Sequence, residues 1–161
     1  MSFSEVTATP PVNESQTIPS REDIDVYHSL DEASACKHFF GKSLDEAEAL
    51  FRDNSIYYEG YLLWMGPVAF RFYIHAAIRY VQSDHAIGDS DIINCLAGTL
   101  RHRMQHEPLS ELQPIAEPLA VFCAYVVEHF DRFDADPQIY GDLRSDYSAL
   151  LTAFQRLTNP K

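Results

Sequence analysis

Two copies of one helix-start signature, Ser29-Leu30-Asp31-Glu32 and Ser43-Leu44-Asp45-Glu46, stand 14 residues apart and constrain this chain more than any other feature. In each, the serine hydroxyl can accept from the backbone N–H three residues on, while the glutamate reaches back to the serine N–H. Two donors that a helix start would otherwise orphan are thereby satisfied. The first copy predicts a helix over residues 30–40, with Lys37 and His38 at its electronegative end and Gly41 free to take the left-handed turn that stops it. The second predicts a helix with Leu44, Ala47, Leu50 and Phe51 on one stripe and Asn54 as its left-handed end. With so short a loop between them, the two form a helical hairpin.

Beyond the hairpin the pattern stays helical, with one interruption. From Ile56 to Pro67 aromatic residues crowd among Gly60, Gly66 and Pro67 and fit no single period. The run from Val68 to Val81 alternates like a strand about Arg71 and turns helix-like from Ile74, with Pro67 able to serve as a first helical residue. Ser90 is expected to cap a helix over 91–105, apolar at Ile92, Ile93, Leu96, Ala97, Leu100 and Met104, which Pro108 stops. Pro114 or Pro118 then opens a helix whose stripe runs through Ile115, Leu119, Phe122, Cys123, Val126, Val127 and Phe130, and this is expected to be the central one. Gly141 precedes a last helix with Leu143, Tyr147, Leu150, Leu151, Phe154 and Leu157 inward. Residues 1–25, with three prolines among Ser, Thr and Glu, show no period and read as a disordered tail. The expected fold is mainly α: a compact bundle of about six helices forming a single domain over 26–161, which admits a short extended segment around Phe70 to Tyr73.

Charge narrows the partners. Asp and Glu number 24 against 12 Lys and Arg, a formal net charge of -12 that repels phosphate backbones and anionic membrane surfaces. Neither nucleic acid nor membrane is therefore an expected partner, whereas a basic protein is. No signal-peptide pattern and no apolar run of about 18 residues is present, so a cytoplasmic location is expected. The three cysteines, Cys36, Cys95 and Cys123, form no close pair and suit a reducing compartment, where buried thiols act as small hydrophobes. Nucleotide-loop, nucleophile-elbow and zinc-finger spacings do not occur, and no cofactor is expected.

Three groups of residues could carry function. His102 and His106 stand four apart on one helix face and could share a metal ion, with Glu107 as third ligand or base. That arrangement would suit a metal-binding protein or metal-dependent hydrolase. However, Arg101 and Arg103 place positive charge beside any cation, and basic side chains in a last turn are also what the helix dipole favours. The second group is Tyr57, Tyr58, Tyr61 and Trp64, residue types that serve equally as core or as interface anchors with one polar end. The third is an acidic stretch from Glu128 to Asp146, within which Asp134 and Asp136 could steer a basic partner, although such a run also serves as a plain solvated face.

Trp64-Met65-Gly66-Pro67 with Phe70-Arg71-Phe72-Tyr73-Ile74-His75-Ala76 resembles an uncharacterised bacterial family of unknown function that pairs an upstream Trp with an F-R-F-Y-x-x-A segment. That resemblance implies a small bacterial domain and brings no activity or catalytic residue with it. Where the pattern often has proline before the alanine, this chain has His75. The expected function is a noncatalytic cytoplasmic interaction protein, in the manner of an acidic inhibitor or immunity protein facing a basic target, with the metal reading of His102 and His106 as the alternative.

Overall fold

A computed structural model describes residues 17–159 of the chain. Among them every regular element is helical: α1 (Arg21–Ile24), α2 (Leu30–Phe39), α3 (Leu44–Trp64), α4 (Pro67–Gln82), α5 (Ser90–His106), α6 (Leu109–Leu112), α7 (Ala116–Glu128), α8 (Pro137–Tyr140) and α9 (Leu143–Thr158). Short 3₁₀ turns follow α4, α6 and α7. Six of these helices have ten or more residues, as the periodicity predicts.

Both capping boxes form. The Ser29 and Ser43 hydroxyls accept from the N–H groups of Glu32 and Glu46, and each glutamate accepts in return from its serine N–H. Gly41 takes a φ of +76° and closes the hairpin, which Tyr73 then locks from α4 by donating its hydroxyl to the carbonyls of Phe39 and Lys42 at 2.7 and 2.9 Å. Burial pushes the Tyr73 phenol up to about 12, so it remains a donor.

Several expectations are corrected. The segment from Phe70 to Tyr73 is helix rather than extended chain, and Pro67 is its first residue. The alternation misleads because α4 is packed on almost every side. Eleven of its sixteen residues are buried, so it, and not α7, is the central helix. Arg71 breaks the apolar run because it reaches out to pair with Glu111 at 2.5 Å. Asn54 is not left-handed: its φ of -156° and ψ of 89° kink α3, and its side-chain oxygen accepts from Tyr57 N–H, so it caps a second helical half. Asp89 rather than Ser90 caps α5, accepting from Ile92 N–H. The α7 stripe ends at Glu128.

The expected tail also differs at its inner end. Ser20 and Asp23 form a third capping box, α1 packs on α2 and α4, and Ile24 is fully buried. Ile24 accepts from Gly66 N–H at 3.0 Å, and a Cβ on Gly66 would lie 2.2 Å from the Asp23 carbonyl oxygen. Only glycine permits that approach. The rest of the expected tail, residues 1–16, lies outside the described residues.

Helix α3 packs along α4 and α5, and α7 lies along α9, with α5 also against α9. Arg103 on α5 is the largest buried side chain, 2% exposed. Its Nε and Nη2 donate to the carbonyls of Leu62, Leu63 and Met65 at the end of α3, its Nη1 pairs with Glu107, and its guanidinium lies 4.1 Å over the Phe70 ring. Those carbonyls are acceptors that a helix C-terminus leaves open. Among the described residues no helix is long and apolar enough to cross a membrane.

Candidate functional site

The aromatic residues of α3 sort by helical angle. Glu59 and Leu62 face inward, toward α5. Tyr57, Gly60, Tyr61 and Trp64, at spacings of three, one and three, form the opposite stripe. Tyr57 is 49% and Trp64 50% exposed, and nothing stands within 4 Å of where a Gly60 Cβ would project. Tyr58 and Tyr61 are half-buried against the core, so the four expected residues divide into two outward and two supporting rings. The Asn54 kink re-aims the second half of α3 so that this stripe meets the last turn of α2.

There His38 sits among three phenols, its ring centroid 5.5 Å from Tyr57, 5.6 Å from Tyr58 and 5.0 Å from Tyr61. The Tyr61 hydroxyl donates to the Tyr57 hydroxyl at 3.0 Å, and that oxygen lies 3.2 Å from His38 Nε2. The hydrogen bond to Tyr57, with lesser contributions from burial and neighbouring negative groups, pushes the Tyr61 phenol up to about 12. The result is a surface of ring faces whose polar ends already hold one another in place. Such rings offer large apolar area at small entropic cost on binding.

The other expected sites do not join this one. Asp134 takes a left-handed φ of 52° after the 3₁₀ turn that follows α7, and Asp136 caps α8 by accepting from Gln138 N–H at 2.8 Å. Neither appears among the hydrogen bonds, ion pairs or ring contacts of the aromatic stripe. His102 and His106 are exposed, their rings tilted against each other with centroids 4.3 Å apart. Glu107, expected as their third ligand, pairs instead with Arg103, and its Oε2 is buried without a hydrogen bond. Among the described residues no group of three or more His, Cys, Asp or Glu is placed to hold a metal ion. The thiols are held protonated: burial pushes Cys95 up to about 11 and Cys123 up to about 12, and raises Cys36.

Sequence reasoning missed the approach to the stripe from α1 and α2. Val26, Tyr27 and Leu30 are all exposed, and only their bulk at the start of the first predicted helix hinted at it. It also missed Glu59, a buried carboxyl that accepts from Thr99 Oγ1 at 2.5 Å. Desolvation raises its pKa. Compared with known protein families, curated proteins and solved structures, the chain matches none.

Proposed function

We propose that the protein is a noncatalytic cytoplasmic interaction module that binds a basic protein segment through the outward stripe of α3, as an acidic inhibitor or immunity protein binds its target. The observation that carries this reading is the half-exposed pair Tyr57 and Trp64 flanking the open Gly60 position. Amphipathic aromatic rings about a flat step in a helix suit close packing against a partner. The net charge of -12 supports a basic partner, and Asp134 and Asp136 act at a distance, raising the encounter rate.

Trp64 is the chain's single tryptophan, so its fluorescence reads this face directly. A helical Leu/Lys peptide should shift Trp64 emission saturably, and its Glu-for-Lys counterpart should not. Tyr57→Ala should weaken the response, while Asp134→Asn with Asp136→Asn should slow association at low salt only. Equal response to both peptides, or none to the basic one, overturns the reading.

A further inference from the structure

The connection from α1 to α2 is fixed by one carboxylate. Glu32, 3% exposed, accepts from Val26 N–H at 2.9 Å and Tyr27 N–H at 3.0 Å through Oε1, and from Ser29 N–H at 3.0 Å and Ser29 Oγ at 2.7 Å through Oε2. His28 is held left-handed at a φ of 59° within this loop. A loop so restrained nonetheless turns Tyr27 and Leu30 outward, 84% and 89% exposed. Two contacts set it beside the aromatic stripe. Gly66, two residues past Trp64, donates its N–H to the Ile24 carbonyl at 3.0 Å just before the loop, and His38 on the α2 helix that follows it packs its ring on Tyr57 and Tyr61.

The charges around these apolar groups are one-sided. Of the carboxylates in residues 20–32, Asp23 and Glu32 hold helix starts and Asp25 lies 3.4 Å from His28 Nδ1, which leaves Glu22 and Asp31 against Arg21. Arg21 lies over the Phe40 ring at 4.8 Å, and Glu22 and Asp31 are exposed. From the held loop, the exposed rings and this charge we propose that Tyr27, Leu30 and Trp64 are the anchors of one docking face. Its occupant is a cationic amphipathic segment of another protein, with apolar side chains on the three anchors and Lys or Arg against Glu22 and Asp31. The inference rests on the reading of the α3 stripe given above and adds the loop that completes it. A second copy of this chain fits poorly, because a two-fold contact would set one acidic patch against another. An anionic lipid surface is repelled by the same groups. Because Glu32 fixes the loop before binding, little ordering cost remains when the segment docks.

The test is calorimetric titration of the full chain with the Leu/Lys peptide at low and high salt, with sedimentation of the chain alone. Tyr27→Ser with Leu30→Ser should weaken binding at least about tenfold at both salt levels without altering the melting temperature, since both side chains are exposed. Glu22→Gln with Asp31→Asn should weaken it at low salt, with the loss shrinking as salt rises. If Trp64→Ala weakens binding and the Tyr27/Leu30 variant does not, the loop is no part of the face and this inference falls while the stripe reading stands. If the loop variant weakens binding and Trp64→Ala with Tyr57→Ala does not, the stripe reading falls, and with it the single face claimed here. A wild-type chain that ignores the peptide overturns both, as does a dimer that the Tyr27/Leu30 variant dissolves, because the occupant is then a second copy.

Discussion

Replacing Arg103 by leucine removes a buried cation whose partners all remain behind. The Leu62 and Met65 carbonyls at the end of α3 lose their side-chain donor inside the protein, and Glu107 loses its counter-ion. Each stranded buried acceptor costs about 1–3 kcal/mol, while the new leucine recovers about 1–2 kcal/mol by packing where the guanidinium lay over Phe70. The expected net loss is about 3–5 kcal/mol, the range for breaking a buried pair from one side, against a total stability of about 5–15 kcal/mol. For a domain of this size that lowers the melting temperature by about 6–20 °C. Urea titration followed by circular dichroism reads the loss directly, and Arg103→Lys should fall between, because an ammonium lacks the planar fork that serves several carbonyls and Glu107 together. A loss below about 1 kcal/mol for Arg103→Leu would refute the claim that this side chain holds the α3 terminus.

Three further outcomes follow from the packing. Phe122→Ala, at a fully buried ring 6.0 Å from Tyr147, should cost about 3–5 kcal/mol in the same titration. Gly66→Ala should destabilise by about 1–3 kcal/mol, because its Cβ meets the Asp23 carbonyl oxygen at 2.2 Å, whereas Gly60→Ala, with nothing within 4 Å, should be neutral or stabilising by up to about 1 kcal/mol. Burial raises the Glu59 pKa above its ordinary 4.5, so the protonated carboxyl's contribution is full below that value and is lost as pH rises through the folded-state pKa. Glu59→Gln should therefore melt higher than wild type at pH values above the folded-state pKa, and the gap should close on acidification; a gap independent of pH would exclude Glu59 as its source.

The elements that were legible in the sequence are those whose signal is local. Ser29 with Glu32 and Ser43 with Glu46 announce α2 and α3 because each box is complete within four residues. Helix α4 hid itself by being central: a helix apolar on nearly all sides loses its 3.6-residue period, and Phe70, Phe72 and Ile74 about Arg71 then imitate a strand. Asn54 was legible as a break but not as a kink, since only the hydrogen bond from Tyr57 N–H shows that the helix restarts. Ile24 could not be read at all. Its burial depends on Gly66, some forty residues away, accepting the close approach of α1.

For the site, composition pointed to the aromatic segment, but helical angle decided which rings face out, and that required knowing that α3 continues past Asn54. The stretch from Glu128 to Asp146 was read as one acidic field and only Glu32 and Glu46 as capping groups, whereas the division of the carboxylates between two jobs runs further. Asp23, Glu32, Glu46, Asp89, Asp136 and Asp142 each accept a backbone N–H at a helix start, where the dipole's positive end offsets their charge. Six of the chain's 24 acids thus sit where a helix N-terminus, rather than a Lys or Arg, faces the carboxylate. Those contacts span 2.8–3.2 Å, far inside the Debye length of about 8 Å at physiological ionic strength. Salt therefore leaves the capping bonds nearly intact while it screens the long-range attraction of the exposed carboxylates for a basic segment, so binding should weaken at ionic strengths where the melting temperature barely moves.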